Sequence, residues 1–346
     1  MWTELTTDLD TPLQPPRDAL VRARAGLPLK ALARKALARA ATGLPLRARR
    51  ALIKSLAPDG DFAIFQTLAG ACGIQGIRVA GAYGLIEGSI FDQSILPIYA
   101  RTKHWCVTEN RFFVDFFEAR AGGTYLDIGA NLGLTTIPIA QNPAVSCVAF
   151  EPEPVNFQYL RSNIARNCPG GNVQTLNLAL FDRAGALDFE LSERNMGDHR
   201  VRIGRSSGAF HEDRRSVIRV KAEPLDAVVD RRSLKGPIAA KVIAQGAEAH
   251  IIDGGRTVLA DAEALVIEFY PYAISRLRGD VAGMFDFIER HFEAAALIAG
   301  GTVQTLSWQP VKALSAVLRR LMTPRKATPY EYFHLFLQKA GAQRPS

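Results

Sequence analysis

The run Tyr125-Leu126-Asp127-Ile128-Gly129-Ala130-Asn131-Leu132-Gly133 constrains the fold of this chain more than any other segment. An apolar strand runs into Asp127, two glycines follow four residues apart, and a helix opens through Thr135 and Thr136. Glycine lets a backbone approach a ligand closely, and a helix N-terminus offers N–H groups without intrahelical partners. The next apolar run, Ser146 to Phe150, ends at Glu151. A carboxylate at the tip of a second strand is placed to accept hydrogen bonds from a ribose diol.

From Thr124 onward strands and helices alternate, which predicts βαβ units and a mostly parallel sheet. The expected strands are 124–128, 146–151, 173–176, 239–243, 264–269, 295–298 and 332–337, with helices over 134–140, 154–167, 255–259 and 281–292. Before them, Gly76 to Gly81 reads as a strand, Asp92 to Tyr99 as a helix, and Asn110 to Ala119 as an aromatic helix of the core. The polar stretch Asp182 to Ala222 reads as a hairpin or insertion over the sheet's top edge. The chain accordingly divides into a basic helical arm (1–57), a cap region (58–122) and an α/β domain (123–346).

Composition bounds the partners. The 346 residues carry 42 Lys and Arg against 34 Asp and Glu, a formal charge of +8, and 48% are hydrophobic, enough for a packed core. No run approaches the roughly 18 apolar residues of a membrane span. The acidic opening Met1-Trp2-Thr3-Glu4 predicts no secretory leader. Cys72, Cys106, Cys147 and Cys168 are scattered without zinc spacing, which predicts reduced thiols, a cytoplasmic location and no bound metal. Much of the excess charge lies in residues 17–56, where two helical patterns carry Lys and Arg off an apolar stripe. The favoured reading is an arm packed on its own domain or a partner; contact with an anionic membrane surface is the other. Without interleaved aromatics, nucleic-acid binding is disfavoured.

The ligand class follows from departures in the turn. The dinucleotide fingerprint G-x-G-x-x-G fails, because Asn131 and Leu134 stand at its second and third glycines. That disfavours a NAD-dependent enzyme. An acid at Asp127 suits a cationic ligand, and the combination points to S-adenosylmethionine (SAM), whose amino group and sulfonium are positive.

At these residues the sequence resembles the FkbM family of SAM-dependent methyltransferases, from about Gly76 to the C-terminus. The resemblance rests on Leu126 to Gly133, on Ala149-Phe150-Glu151-Pro152 with Asn156, Phe157 and Leu160, and more weakly on Asn177-Leu178-Ala179-Leu180, Leu225-Asp226 and Gly246-Ala247-Glu248. It implies the Rossmann-like class I methyltransferase fold, α/β, with seven strands and the last antiparallel. It also implies methyl transfer to a hydroxyl of a glycan, polysaccharide or glycosylated natural product. Carried over, Asp127, Gly129, Ala130, Asn131 and Gly133 would wrap the methionine end of SAM, Glu151 would bind the ribose, and Ala179 and Leu180 would present backbone to the adenine. Asn195 to Arg200 resembles a substrate-side loop.

One departure bears on activity. After the fourth strand the family usually shows Lys-Ile-Asp-Val-Glu-Gly-Ala-Glu, and this chain reads Lys241-Val242-Ile243-Ala244-Gln245-Gly246-Ala247-Glu248. Ile243 cannot accept a proton, and Gln245 replaces the next acid. Lys241 is retained, and Glu268, His199 and Glu248 are the candidate replacement bases. The same departure motivates the alternative of a catalytically impaired scaffold or sensor on this fold. His250, His291 and His334 read as packing or surface residues. Oligomeric state and acceptor identity are not legible.

Overall fold

The computed structural model describes residues 73–339 apart from 205–206 and 323–328, together with Pro45, Ala48, Ala69 and Gly70. The basic segment 17–56, with its membrane or packing role, lies outside the described residues but for Pro45 and Ala48. The chain forms two compact units. One takes the residues up to His104 with Glu193–Gly197, and the other takes Trp105–Ser192 and the chain from Asp198 onward.

In the first unit, β1 (Gly76–Gly81) and β2 (Gly84–Ser89) pair antiparallel across a two-residue turn. Helix α1 (Ile95–Thr102) follows. Its start is held by the buried Asp92 carboxylate, which accepts from the Leu96 N–H at 2.7 Å and the Ser94 N–H at 3.1 Å.

The second unit is built on a large mixed sheet. Helix α2 (Val107–Glu118) leads into β3 (Gly123–Ile128), the short α3 (Ile137–Ala140), β4 (Val145–Phe150), α4 (Pro154–Asn167) and β5 (Val173–Leu176). After an excursion the chain returns through β10 (Ile238–Val242) and β11 (Ala264–Phe269), and later β12 (Ala294–Ala299), β13 (Gln309–Pro310) and β14 (Phe333–Gln338). The spatial order is β13-β12-β14-β11-β10-β3-β4-β5. Neighbours from β11 to β5 are parallel, and β14 runs antiparallel to both β11 and β12. Apart from the two-residue β13, these are the seven strands expected, with the last one reversed.

The central strands are buried end to end, as sheets covered on both faces require. Helix α2 supplies part of one cover. Phe112, Phe113, Phe116 and Phe117 are all buried, with Phe113 4.8 Å from the Tyr125 ring and Phe112 5.2 Å from that of Phe336. At about 25 cal/mol per Å2 of apolar area, a fully buried Phe stabilises by about 1.5–3 kcal/mol.

The excursion is the polar stretch. There β6 (Ala179–Leu180), β7 (Gly185–Leu191), β8 (Arg200–Val201) and β9 (Ser216–Glu223) form a second sheet in the order β6-β9-β7-β8. The expected helix 134–140 shortens to α3, because residues 131–136 form a tight turn tied to Asp127. Between β10 and β11 there are two short helices, α6 (Glu248–Gly254) and α7 (Arg256–Asp261), after the single turn α5 (Leu225–Val228). Further on come α8 (Pro271–Leu277), α9 (Val281–His291) and α10 (Val311–Leu321). Among the described residues no helix is long and apolar enough to cross a membrane.

Candidate functional site

The sheet order reverses between β3 and β10. From β3 the chain proceeds outward through β4 and β5, and from β10 outward through β11. In open α/β sheets ligands bind outside the carboxyl ends of the strands at such a switch point. The turn after β3 and the turn after β10 meet there.

Their meeting is close. A Cβ on Gly129, whose φ is +80°, would sit 2.0 Å from the Ile243 carbonyl oxygen. The glycine expected to admit a ligand is thus demanded first by the neighbouring strand. Asn131 also adopts the left-handed conformation, at φ +50°, and its Oδ1 accepts from the Leu132 N–H at 2.9 Å. Gly133 packs its Cα face against Leu160 and Ile137, and Ala130 is buried, its N–H bonded to the Phe150 carbonyl.

Asp127 is placed differently from expectation. It is 0% exposed, and its carboxylate is occupied from within. Lys241 Nζ donates to Oδ1 at 2.7 Å, and the hydroxyls of Thr135 and Thr136 donate to Oδ2 at 2.8 and 2.6 Å. The residue shapes the turn from beneath instead of facing a ligand's amino group. Lys241, 3% exposed, spends its remaining donors on the carbonyls of Gly129 (3.0 Å) and Ile128 (3.3 Å). All three N–H donors of the ammonium are engaged, so Lys241 positions the turn and offers no free group for catalysis.

Glu151 lies where the sequence places it, just past the tip of β4. It is 5% exposed; Oε2 accepts from the Asn131 N–H and Oε1 from the Glu153 N–H, both at 2.9 Å. Burial pushes its carboxyl up to about 8. Each oxygen keeps a lone pair that a ribose hydroxyl can use. Asn177, beyond β5, fixes this corner by donating its amide to the Glu151 carbonyl at 2.8 Å. Ala179 and Leu180 are buried, and β6 pairs with β9 by Ala179 opposite Ala222 and Leu180 opposite Glu223.

The candidate bases separate. Glu268, near the end of β11, is buried, and both its oxygens accept from the Gln245 amide, at 3.0 and 3.3 Å. Gln245 itself holds a left-handed φ of +53°. Opposite Glu268 across the sheet stands His334, whose Nδ1 hydrogen-bonds Glu109 Oε1. Burial lowers the His334 pKa, but the Glu109 carboxylate, with Glu268 beyond it, raises it above the ordinary value. Glu248 opens α6, its Oε1 accepting from the Ala244 N–H at 2.8 Å, and its Oε2 has no partner. Burial raises both Glu248 and Glu268, and their proximity raises Glu248 further.

His199 is not suited to accept a proton. Its Nδ1 accepts from the Ser192 N–H at 2.9 Å, so the neutral ring carries its proton on Nε2. Burial and then Arg215 lower it to about 4. In the preceding loop, Asn195 to Gly197 group with the first unit and Asp198 to Arg200 with the second. His250 packs as expected, stacked on Phe181 with centroids 4.1 Å apart. His334 departs from its reading as a packing or surface residue. It belongs to a buried polar chain that the sequence does not disclose, since its partners lie 225 and 66 residues away.

An order of three strands outward from β3 on one side, β10 and β11 on the other, and a reversed β14 inserted between β11 and β12, with a carboxylate at the second strand tip, defines a class I methyltransferase fold. Residues 127–295 match the family described as the methyltransferase FkbM domain. It is 39% identical over 69 residues to the 31-O-demethyl-FK506 methyltransferase FkbM of Streptomyces tacrolimicus, covering 20% of this chain and 26% of that protein. The chain thus spans about a quarter of that curated relative's length. Among solved structures it is similar to a methyltransferase FkbM from Methylobacillus flagellatus, with a TM-score of 0.38, 12% identity, and 84% and 58% of the two chains covered. It is also similar to a Streptococcus pneumoniae protein provisionally described as a tRNA (m1A22) methyltransferase, in complex with S-adenosyl-L-methionine. There the TM-score is 0.35 at 11% identity, over 69% and 75% of the chains.

Proposed function

We propose that this domain transfers a methyl group from SAM to a hydroxyl of a glycan, polysaccharide or glycosylated natural product. The observation that carries the reading is the buried Glu151 carboxylate at the switch-point turn, held by the Asn131 and Glu153 N–H groups with lone pairs to spare. These residues fit SAM, although Asp127 supports the turn from behind. When bound, SAM supplies an electrophilic methyl group on a sulfonium. Glu151 would accept from the ribose hydroxyls, and the Gly129–Gly133 backbone would hold the methionine end. The Lys241–Asp127 pair keeps that backbone in place. Methyl transfer is an in-line displacement that depends mainly on positioning and the exclusion of water.

Glu268 is the best-placed base. It is held by Gln245 at the carboxyl end of β11, next to the position of the missing acid at Ile243. Its carboxylate would take the proton of the acceptor hydroxyl. Burial has already raised its affinity for that proton. A cytoplasmic location completes the reading, with segment 17–56 packed on its own domain or a partner as the favoured role and contact with an anionic membrane surface as the other. Equal pelleting of intact and arm-deleted protein with anionic liposomes would remove the membrane part.

The test is transfer of radiolabelled methyl from SAM to hydroxylated oligosaccharides. The reading expects incorporation by the wild type and a loss of about 10² to 10⁴-fold in Glu268→Gln. Ile243 and Gln245, at the positions of the usual acids, favour a second reading as a non-catalytic scaffold or sensor. SAM binding without any turnover would establish that one instead.

A further inference from the structure

Beside the candidate base lies an ion pair that the proposed chemistry leaves unused. His334 and Glu268 stand directly opposite each other on the antiparallel strands β14 and β11. Residues paired in this way project to the same face of a sheet, with Cβ atoms about 4.5–5.5 Å apart. Helix α2 packs on that face, Phe112 against Phe336, and its Glu109 accepts a hydrogen bond from His334 Nδ1. All three polar side chains are buried, Glu109 and Glu268 at 3% exposure and His334 at 5%. The histidine therefore joins two carboxylates that water does not solvate.

Two buried carboxylates are costly without a positive charge beside them. Lys241, on β10, gives its donors to Asp127 and to the carbonyls of Ile128 and Gly129. Arg200, on β8, is bonded to Asp198, which offsets its charge. On β12 the residue opposite His334 is the apolar Ile298. Cys106 and Tyr332 face the same groups, but burial pushes the thiol well up and the phenol up to about 12, so both are neutral at pH 7. Burial also drives Glu268 towards its neutral form. Among the groups that oppose this His334 comes first, ahead of Arg200 and Lys241, while Asp198 acts with burial. Glu248, on α6, is itself pushed up by burial and by Glu268. A base has to be ionised when the acceptor arrives, and Gln245 Nε2, donating to both Glu268 oxygens, suits a carboxylate there.

We propose that Glu109 and His334 are positioning residues for the base: Glu109 holds the His334 ring as an imidazolium, and that charge keeps Glu268 a carboxylate. Both act through Glu268, across a dry interior in which a charge about 5 Å away is weakly screened. The acceptor hydroxyl would give its proton to Glu268, while the Nδ1 proton of His334 stays on its bond to Glu109. This role rests on the reading of Glu268 as the base.

The test is NMR on the full-length protein labelled at glutamate carboxyls and histidine rings, with Glu268 assigned by its loss in Glu268→Gln. The wild type is expected to show His334 protonated on both ring nitrogens at pH 7. His334→Gln keeps a donor for Glu109 but carries no charge, and the Glu268 midpoint is expected to rise by about one pH unit or more. Glu109→Gln, nearly the same shape, is expected to lower the His334 midpoint by a similar amount. Radiolabelled methyl transfer is followed in parallel. In His334→Gln the acidic limb of its pH profile is expected to move up with the Glu268 midpoint, and activity to recover at higher pH. A residue needed only for folding would lower the rate equally at every pH. A wild-type His334 that is neutral at pH 7, or a Glu268 midpoint unchanged in His334→Gln, overturns the proposal. The first of these is read on the wild type and holds whether or not the variants fold. Should the titrations run as expected in a protein that transfers no methyl group, the reading of Glu268 as a base falls and the charge arrangement stands.

Discussion

Lys241 Nζ donates to Asp127 Oδ1 at 2.7 Å, joining neighbouring parallel strands at residues that pair directly in register. The same ammonium reaches the carbonyls of Ile128 and Gly129, so the pair fixes the backbone that leads into the turn after β3. Removing one partner from a buried pair strands the other. Lys241→Met is therefore expected to lower stability by about 3–5 kcal/mol in urea unfolding. A loss below about 1 kcal/mol would mean that the pair does not hold the turn.

Gly129→Ala is expected to destabilise the protein by at least about 2 kcal/mol and to weaken S-adenosylhomocysteine binding. The added methyl meets the Ile243 carbonyl, and the left-handed φ is unfavourable for alanine. Normal melting and normal affinity in this variant would show that the two turns separate readily.

Glu151 makes stability and binding depend on pH. Its folded-state value of about 8 lies above the ordinary carboxyl value of 4.5. A raised value means that the folded state holds the proton more tightly. The stabilisation is full below about 4.5 and is lost as pH rises through about 8. Glu151→Gln should flatten that fall. Ribose hydroxyls donate to the ionised form, so cofactor binding near pH 7 should release up to about one proton. Calorimetry in buffers of different ionisation heat reads this release directly, and Glu151→Gln should abolish it. A wild type that binds without proton release would contradict the assignment.

The His199 ring titrates near 4 and is neutral at pH 7. A lowered histidine value contributes stability above the unfolded value of about 6.5, lost as pH falls through about 4. Nitrogen NMR should show the Nε2-protonated tautomer at neutral pH with a midpoint near 4. A midpoint near 6.5 would restore His199 as a candidate base.

How much of this was legible in sequence follows from the range of the interactions. The strand at 264–269 falls at the expected bounds, because a nearly continuous apolar run between turns leaves little choice when both faces are buried. The Gly129–Gly133 turn and Glu151 were legible because each lies at the end of such a run. Helix α10 was missed although Val311, Leu314 and Leu318 follow helical spacing. The tie between Asp127 and Lys241 was not legible because Lys241 lies 114 residues away, and only the register of β3 with β10 brings them together. For the same reason the Gln245–Glu268–His334–Glu109 chain has no local signature. Its chemistry arises where strands distant in sequence become neighbours.

Calorimetric titration with S-adenosylhomocysteine tests the central claim most directly, comparing wild type with Glu151→Ala. The account predicts one site per chain in the wild type and at least about a tenfold loss of affinity in the variant, since two hydroxyl bonds to a charged group are removed. No binding by the wild type, or equal affinity in both proteins, would contradict it.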